Sequence, residues 1–563
     1  MAILHSLEIK NFRGIKYFKQ EFFQEKLVCL VGRGDSGKST ILDAISYVLS
    51  SNWNITFYDS DFYNCDIEEP IEIIANLIDL PDFLLKDRYG FQIRGFNPIT
   101  GWIEDEISDE SLPAMTIRLL VDKELEPSWT LINGRTEPLH ITASTRAKVN
   151  SFLISDYTDN HFSWGKGKPL YTILRQELED DSTEEKNIIL EALREAKTKI
   201  DENSFEDFSL VIEKVVQASK KFGIKLPNTK TTIDFKDISI KDNRVCLHDN
   251  HIPFRQKGKG SKRLISMAIQ SIISDIGGIV MIDEIEQGLE PDRIKHLIRN
   301  LERKRSGQIF ITTHSQNVIE ELEASNIFLV GNNNGNCSVI KCNEQFQSIV
   351  RACPEAIYAK KVIVCEGKTE LGICRAMDEY RISIGLPSFA ENGVVYTLGE
   401  GTNFSTRAER LFKLNKPVCI FCDSDHDDTL EPKKEELIAL NIEIFDCENG
   451  FAIEQQIFQD MTWQGIQQII KYLISDMTID GITQSLKSKI VGELTEDWLN
   501  HDAQNTRIAL GLASKSNKNG WFKRIDHGEV IGRIFYQNID KIKETKLYSL
   551  LNGLSNWVDN DEN

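Results

Sequence analysis

Short unbroken apolar blocks alternate along this chain with apolar stripes at helical spacing, and that order predicts an α/β protein. Met1–Lys10 alternates like a strand, and Leu27–Val31 reads as a buried strand. The helical set Ile41, Leu42, Ala44, Ile45 and Val48 follows it. Ile71–Leu80, Met115–Val121 and Trp129–Ile132 predict a small antiparallel sheet, with Asn133-Gly134 as a hairpin turn. A capping-box pattern at Ser182–Glu185 then opens a helix striped by Ile189, Leu193, Ala196 and Ile200. Ser204 opens a second, striped by Phe208, Ile212 and Val215. Joined through Asp201–Asn203 they make a hairpin, either a dimerisation arm or a pair packed on its own domain.

Strand-like segments return at Ile233–Ile240 and Val245–Leu247, an apolar helix begins at Leu264, and Gly278–Ile282 and Ile309–Thr313 are further strands. Ile327–Val330 and Cys337–Lys341 read as a closing hairpin, so a first domain should end near residue 350. A second α/β unit follows, with strands at Val362–Cys365, Val394–Tyr396 and Val418–Cys422. After about Asp460 the pattern is helical, with Ile466, Ile469, Ile470 and Leu473 on one face and an acidic end after Trp557.

Composition narrows the class. The 563 residues are 41% hydrophobic and 27% charged with only 14 Pro, which fits several globular domains rather than a disordered or fibrous chain. The most apolar stretch, Met267–Ile282, is broken by Gln270, Asp275 and two glycines, so a membrane span is not expected. The 11 cysteines are scattered, and the close pair Cys419 and Cys422 lies in a strand-like run. Reduced thiols in a cytoplasm are the expectation. A net charge of -20, from 66 basic and 86 acidic residues, argues against electrostatic coating of nucleic acid. It leaves room for a local site, because carboxylate-held metal ions engage phosphodiesters without a basic surface.

The chemistry concentrates at strand ends. Directly after Leu27–Val31 comes Gly32-Arg33-Gly34-Asp35-Ser36-Gly37-Lys38-Ser39-Thr40, a phosphate loop. Gly32, Gly34 and Gly37 let N–H groups face phosphates, Lys38 reaches the terminal phosphates, and Ser39 offers a hydroxyl to Mg²⁺ beside Thr40 at a helix start. Asp283 and Glu284 end the strand Gly278–Ile282 as a Walker B pair, Asp283 for Mg²⁺ and Glu284 to polarise water. Asp59 and Asp61 are either a metal- or γ-phosphate-sensing loop or solvated turn carboxylates. Arg255–Arg263 holds five basic residues in nine and reads either as a DNA-binding loop or as a glycine-serine turn before a helix.

In the second unit, Val362–Cys365 runs into Glu366-Gly367-Lys368-Thr369-Glu370, and Val418–Cys422 into Asp423-Ser424-Asp425. Carboxylates at the carboxyl ends of parallel strands are hard oxygen ligands suited to Mg²⁺ or Mn²⁺. Glu454 is a further candidate, with Glu448 competing.

These motifs carry resemblances. Asn11-Phe12-Arg13-Gly14 is similar to the opening of SMC-, RecF- and RecN-type ATPases. Gly258–Arg263 resembles the ABC-type signature, Gly288–Asp292 the D-loop, and Ile309–Ser315 the switch-histidine strand of the same class. The likeness implies that Ser261 touches a γ-phosphate held by a second subunit, that His314 contacts the γ-phosphate of its own, and that the protein dimerises. Glu366 with Asp423 and Asp425 resembles the Toprim motifs of topoisomerases, primases and some nucleases. A P-loop ATPase split by a helical insert and followed by Toprim resembles the OLD (overcoming lysogenization defect) family of nucleases, including anti-phage relatives, and Pro354–Glu370 is especially similar.

That resemblance implies an ABC-type ATPase in residues 1–150 and 229–350, a helical insertion at 151–228, a Rossmann-like Toprim core at 351–460 and a helical region at 461–563 completing it. It further implies a DNA endonuclease gated by ATP, acting through two metal ions held by Glu366, Glu370, Asp423, Asp425 and Glu454. The family's lysine maps onto Lys518, with Lys523 as alternative. DNA, a homodimer or tetramer and a companion defence protein are the implied partners. A non-cleaving ATP-dependent DNA clamp is the competing expectation; none of the 13 tyrosines is singled out as a topoisomerase nucleophile.

Overall fold

A computed structural model describes residues 2–23, 25–155, 159–162, 168–177, 206–233, 245–275, 277–303, 307–399, 403–424, 433–448, 450–515 and 520–560. The chain divides into two compact units, Met1–Arg351 and Ala352–Asn563.

Among the described residues the first unit is built on a fourteen-stranded sheet with two characters. One half is parallel: Ser151–Ile154, Ile279–Ile282, Gln308–Thr313, Leu27–Val31 and Ile327–Asn333 lie side by side in that order. Its strands are continuously apolar because both faces are covered, and all five residues of Leu27–Val31 are buried. The other half is mainly antiparallel, running from Ile15–Glu21 through Ile3–Phe12 and Ile71–Ile78 to Leu112–Val121. Here burial alternates, as in Ile71–Ile78, where Ile71, Ile73, Ala75 and Leu77 face the core. The hairpin Ile327–Asn333/Asn336–Lys341 closes through Asn334-Gly335, both at positive φ as a two-residue turn requires.

One local expectation changes. Asn133-Gly134 is not a two-residue hairpin: Leu131 pairs with Leu139, so the turn lies in a longer loop. There the Asn133 side chain accepts from the N–H groups of Arg135 and Thr136. Met267–Ile282 is split between the helix Lys259–Asp275 and the strand Ile279–Ile282, and no helix among the described residues is long and apolar enough to cross a membrane. In the insertion, Ser182–Ser204 lies outside the described residues, but the helix Glu206–Lys221 spends its apolar face inside its own unit. Phe208, Val211 and Val215 share a core with Leu247, Phe254, Ile265, Ile269 and Ile273. At about 1.5–3 kcal/mol per buried large aliphatic side chain, that face is fully employed.

The second unit has a four-stranded, all-parallel sheet in the order Val394–Leu398, Lys361–Cys365, Val418–Cys422, Glu443–Asp446. Its core is continuous with the C-terminal helices: Ile363, Cys365, Cys419 and Phe421 pack in one cluster with Ile466, Ile470, Leu510, Phe535 and Leu551. Residues 461–560 therefore complete the hydrophobic core around this sheet. Cys419 and Cys422 are buried and unbridged on its strand.

Candidate functional site

In the first unit, three neighbouring parallel strands deliver their carboxyl ends to one edge. Thr313 is in register with Val31, and Ile311 with Ile282, so Gly32, His314 and Asp283 emerge side by side. Gly37 caps the helix Lys38–Val48 at φ +96, a conformation that suits glycine and turns the N–H groups of the helix start into the loop. Lys38 is 5% exposed, and its Nζ donates to the carbonyls of Gly32 (2.9 Å) and Arg33 (2.7 Å) and to Ser36 Oγ (3.2 Å). Its ammonium thus occupies the cradle that phosphate oxygens would fill. Burial pushes its pKa down, partly offset by the negative field of Asp283, Glu284, Asp35 and Glu286.

Ser39 Oγ donates to Asp283 Oδ1 at 3.0 Å, and Thr312 Oγ1 donates to the same oxygen at 2.6 Å. The hydroxyl and carboxylate that a nucleotide-bound Mg²⁺ requires are therefore together across 244 residues of sequence. Glu284 sits at φ +46, the left-handed region, with its N–H donating to Thr312 Oγ1 at 2.7 Å. A glutamate held in that conformation costs of order 1–3 kcal/mol, an expense typical of functional positions.

Two residues invisible to motif reading fix this edge. Glu286 accepts from Thr313 Oγ1 and from the His314 N–H, both at 2.7 Å, and so sets the turn on which the exposed His314 stands. Arg263, 3% exposed, donates to the carbonyls of Asp283 and Glu284 and to Gln287 Oε1 (2.9 Å). The latter removes one cation from the supposed DNA-binding loop, and Lys257 is paired with Asp249. Ser261 lies in the first turn of Lys259–Asp275, where a Cβ on Gly260 would meet the Gly288 carbonyl at 2.3 Å. That contact joins the glycine-serine turn to Gly288–Asp292. Asp61 is not a solvated turn carboxylate: Arg13 Nε pairs with it at 2.8 Å, and Arg13 also engages Asp43 and the faces of Phe12 and Tyr47.

A family model for the AAA ATPase domain, AAA_15, matches residues 1–116 and 139–319, more than half of the chain. The chain belongs to this ATPase family. ATP with Mg²⁺ is the ligand such a domain takes. None of the curated proteins matches the chain. Among solved structures it resembles an Smc head bound to the C-terminal winged-helix domain of ScpA (18% identity, TM-score 0.38, 60% of this chain and 96% of that one). It also resembles a ScpA-bound Smc head with an extended coiled coil from Pyrococcus furiosus (17%, 0.36, 60% and 96%) and the SMC head domain from Thermotoga maritima (13%, 0.30, 60% and 99%).

The ATPase's second unit also gathers its chemistry at strand ends. Glu366 follows Lys361–Cys365, its N–H donates to Phe421 O (3.0 Å), and its Oε2 accepts from the Asp423 N–H (2.9 Å). Asp423 Oδ1 in turn accepts from the Ile453 N–H (2.7 Å) at the start of the helix Ile453–Asp460, whose first turn holds Glu454. Glu370, 4% exposed, accepts from the Gly367 N–H at 3.0 Å. Burial raises its pKa well above the usual carboxylate range, reinforced by Asp423, Glu454 and Glu366. Cys447, also buried, is raised by burial and by Asp423, Glu370, Asp446 and Glu454. Asp423, Glu454 and Glu366 thus all act on Glu370.

Glu448 lies on the neighbouring loop, its carbonyl accepting from Ser424 Oγ at 3.3 Å and its N–H bonded to Gln456. Asp425 and Lys518 lie outside the described residues. Lys523 is exposed and follows Phe522, whose carbonyl accepts from Thr369 Oγ1 at 2.6 Å, which brings that segment to the start of the helix carrying Glu370. Among the described residues no three His, Cys, Asp or Glu side chains form a closed metal-holding group. The donor chemistry still suits a hard divalent ion, since a cation would relieve the repulsion that burdens Glu370.

Proposed function

We propose that this ATPase is a nucleotide-controlled, divalent-metal-dependent DNA endonuclease of the OLD type, with its second unit as a Toprim nuclease. The observation that carries the reading is the convergence of Glu366, Glu370, Asp423 and Glu454 at the carboxyl edge of a parallel sheet. Asp425 would join them, and Lys518, or Lys523, would offset the negative charge on the oxygens of the pentacovalent phosphate. A bound Mg²⁺ or Mn²⁺ supplies a Lewis acid for the phosphodiester and a more acidic water. The chain's own part is orientation. Backbone N–H groups of Asp423 and Ile453 fix the carboxylates of Glu366 and Asp423, and the Gly367 N–H fixes Glu370.

In this reading two ATPase units engage across nucleotide, Ser261 of each reaching the γ-phosphate bound by the other. That engagement is the two-state element through which ATP controls cleavage. A homodimer or tetramer, a companion protein and a place in cytoplasmic anti-phage defence come with the family resemblance.

The test is cleavage of supercoiled plasmid with Mg²⁺ or Mn²⁺, with and without ATP. Wild type is expected to give nicked or linear product, and Glu366→Ala and Asp423→Ala to lose at least about a hundredfold of that activity while still binding ATP. Full activity in either variant overturns the assignment. Intact plasmid throughout, from folded, nucleotide-binding wild type, favours a non-cleaving DNA clamp.

A further inference from the structure

A small hairpin at the far end of the antiparallel half, Arg94–Phe96 paired with Ile103–Glu104, ends the sheet of the first unit. Its turn exposes large apolar side chains: Ile99 is 89% and Trp102 69% exposed, with Ile107 and Leu112 about half exposed nearby in sequence. Leu112 stands directly across from Phe96 in the adjoining strand.

The turn is tightly held. Asn97 N–H donates to Trp102 O (2.9 Å) and Gly101 N–H to Asn97 O (2.8 Å). Asn97 Oδ1 accepts from the N–H groups of Ile99 (2.9 Å) and Thr100 (3.2 Å), and Gly101 O accepts from His5 Nε2 at 2.9 Å. Beneath it Phe96 packs with Ile78 and Ala114, and the Phe96 ring lies 4.8 Å from that of His5. Ile99 and Trp102 are thus presented on a preorganised tip, so burying them in an interface costs little ordering entropy. Tryptophan is the side chain most enriched at binding hot spots.

Charge decides what covers the tip. Glu104, Glu106, Asp109 and Glu110, all within the eight residues after Trp102, are exposed, while Asp105 is paired with Arg94 at 2.8 Å. An anionic membrane surface or a nucleic acid would be repelled by these carboxylates. A second copy docking the same patch on itself would set the carboxylates of one chain against those of the other. We infer that the Ile99–Trp102 tip docks a different protein, one that presents an apolar side-chain stripe flanked by lysine or arginine. The inference does not depend on nuclease activity.

The probe is a synthetic amphipathic helix of leucine and lysine, tested by fluorescence anisotropy against the full chain beside its leucine–glutamate counterpart. Binding of the basic peptide is expected to fall at least tenfold in Ile99→Ser/Trp102→Ser. Reversing Glu104, Glu106, Asp109 and Glu110 to lysine should switch preference to the acidic peptide. Reversing the exposed Asp480, Glu493, Glu496 and Asp497 of the second unit, an equal change in net charge, should leave basic-peptide binding within twofold. Equal loss in that control, or no loss in the tip variants, overturns the proposal. So does a drop in oligomer mass by light scattering in Ile99→Ser/Trp102→Ser, which would make a second copy the occupant. ATP binding, retained in every variant, shows that each is folded.

Discussion

Both units of the protein place their chemistry at the carboxyl edge of parallel strands, yet the two edges have opposite electrical characters. In the first, Leu27–Val31 runs into glycines and Lys38, and the negative groups Asp283 and Glu286 are engaged by Ser39, Thr312, Thr313 and the His314 N–H. In the second, Lys361–Cys365 and Val418–Cys422 run into carboxylates that, with burial, raise the proton affinity of Glu370. A parallel sheet supplies a crevice of no particular sign. The residues in the first one to seven positions beyond each strand give it a basic or an acidic lining.

The sharpest way to break this contrast is to remove the basic lining of the first edge. Lys38→Ala should reduce ATP affinity at least about a hundredfold, read by nucleotide titration, without unfolding the second unit. Asp423→Asn does the reverse, leaving nucleotide affinity within twofold while metal-dependent plasmid cleavage falls by about two orders of magnitude. An effect of Asp423→Asn on ATP affinity equal to that of Lys38→Ala would dissolve the separation between the edges.

Glu286→Ala is a finer instrument. It removes the acceptor that positions His314, the expected γ-phosphate contact, but leaves Lys38 and Ser39 untouched, so kcat for ATP hydrolysis should drop about tenfold with nucleotide Kd nearly unchanged. A matching loss of affinity would instead mark Glu286 as part of the binding site.

A further effect concerns stability. His161, buried against Ser266 of the helix Lys259–Asp275, has its pKa lowered by burial to about 4, with the positive charge of Lys168 acting in the same direction. The folded state therefore prefers the neutral ring. Its contribution is complete above an unfolded pKa of about 6.5 and is lost as pH falls toward 4, a decline of about 3 kcal/mol. His161→Gln should flatten this part of the first unit's stability curve between pH 6.5 and 4, as followed by denaturant unfolding; an unchanged slope would place the acid sensitivity elsewhere.

Much of the first unit was legible because its signals are local. A continuous apolar strand, a glycine loop and a helical stripe sit within 22 residues, and the order of later motifs repeats the same strand-to-loop logic. The carboxylates of the second unit were legible for the same reason, since each follows an apolar block directly. Illegible were the partners brought in from afar. Nothing around Glu286 marks it as the acceptor for His314, and Arg263 reads as one more member of a basic run until the fold buries it on the Asp283 and Glu284 carbonyls. Asp61 looked like a turn residue because Arg13 lies 48 positions away.

The sequence by itself determined where strands end and which charges stand at those ends, because burial period and turn chemistry act over a few residues. Only the tertiary structure decided which ends lie side by side and which acid is buried among like charges. It also decided that the stripe of Glu206–Lys221 is spent in a core while Ile99 and Trp102 remain in solvent. Those outcomes depend on the order of strands in a sheet and on the desolvation that packing imposes. Neither is a property of any short window of the chain.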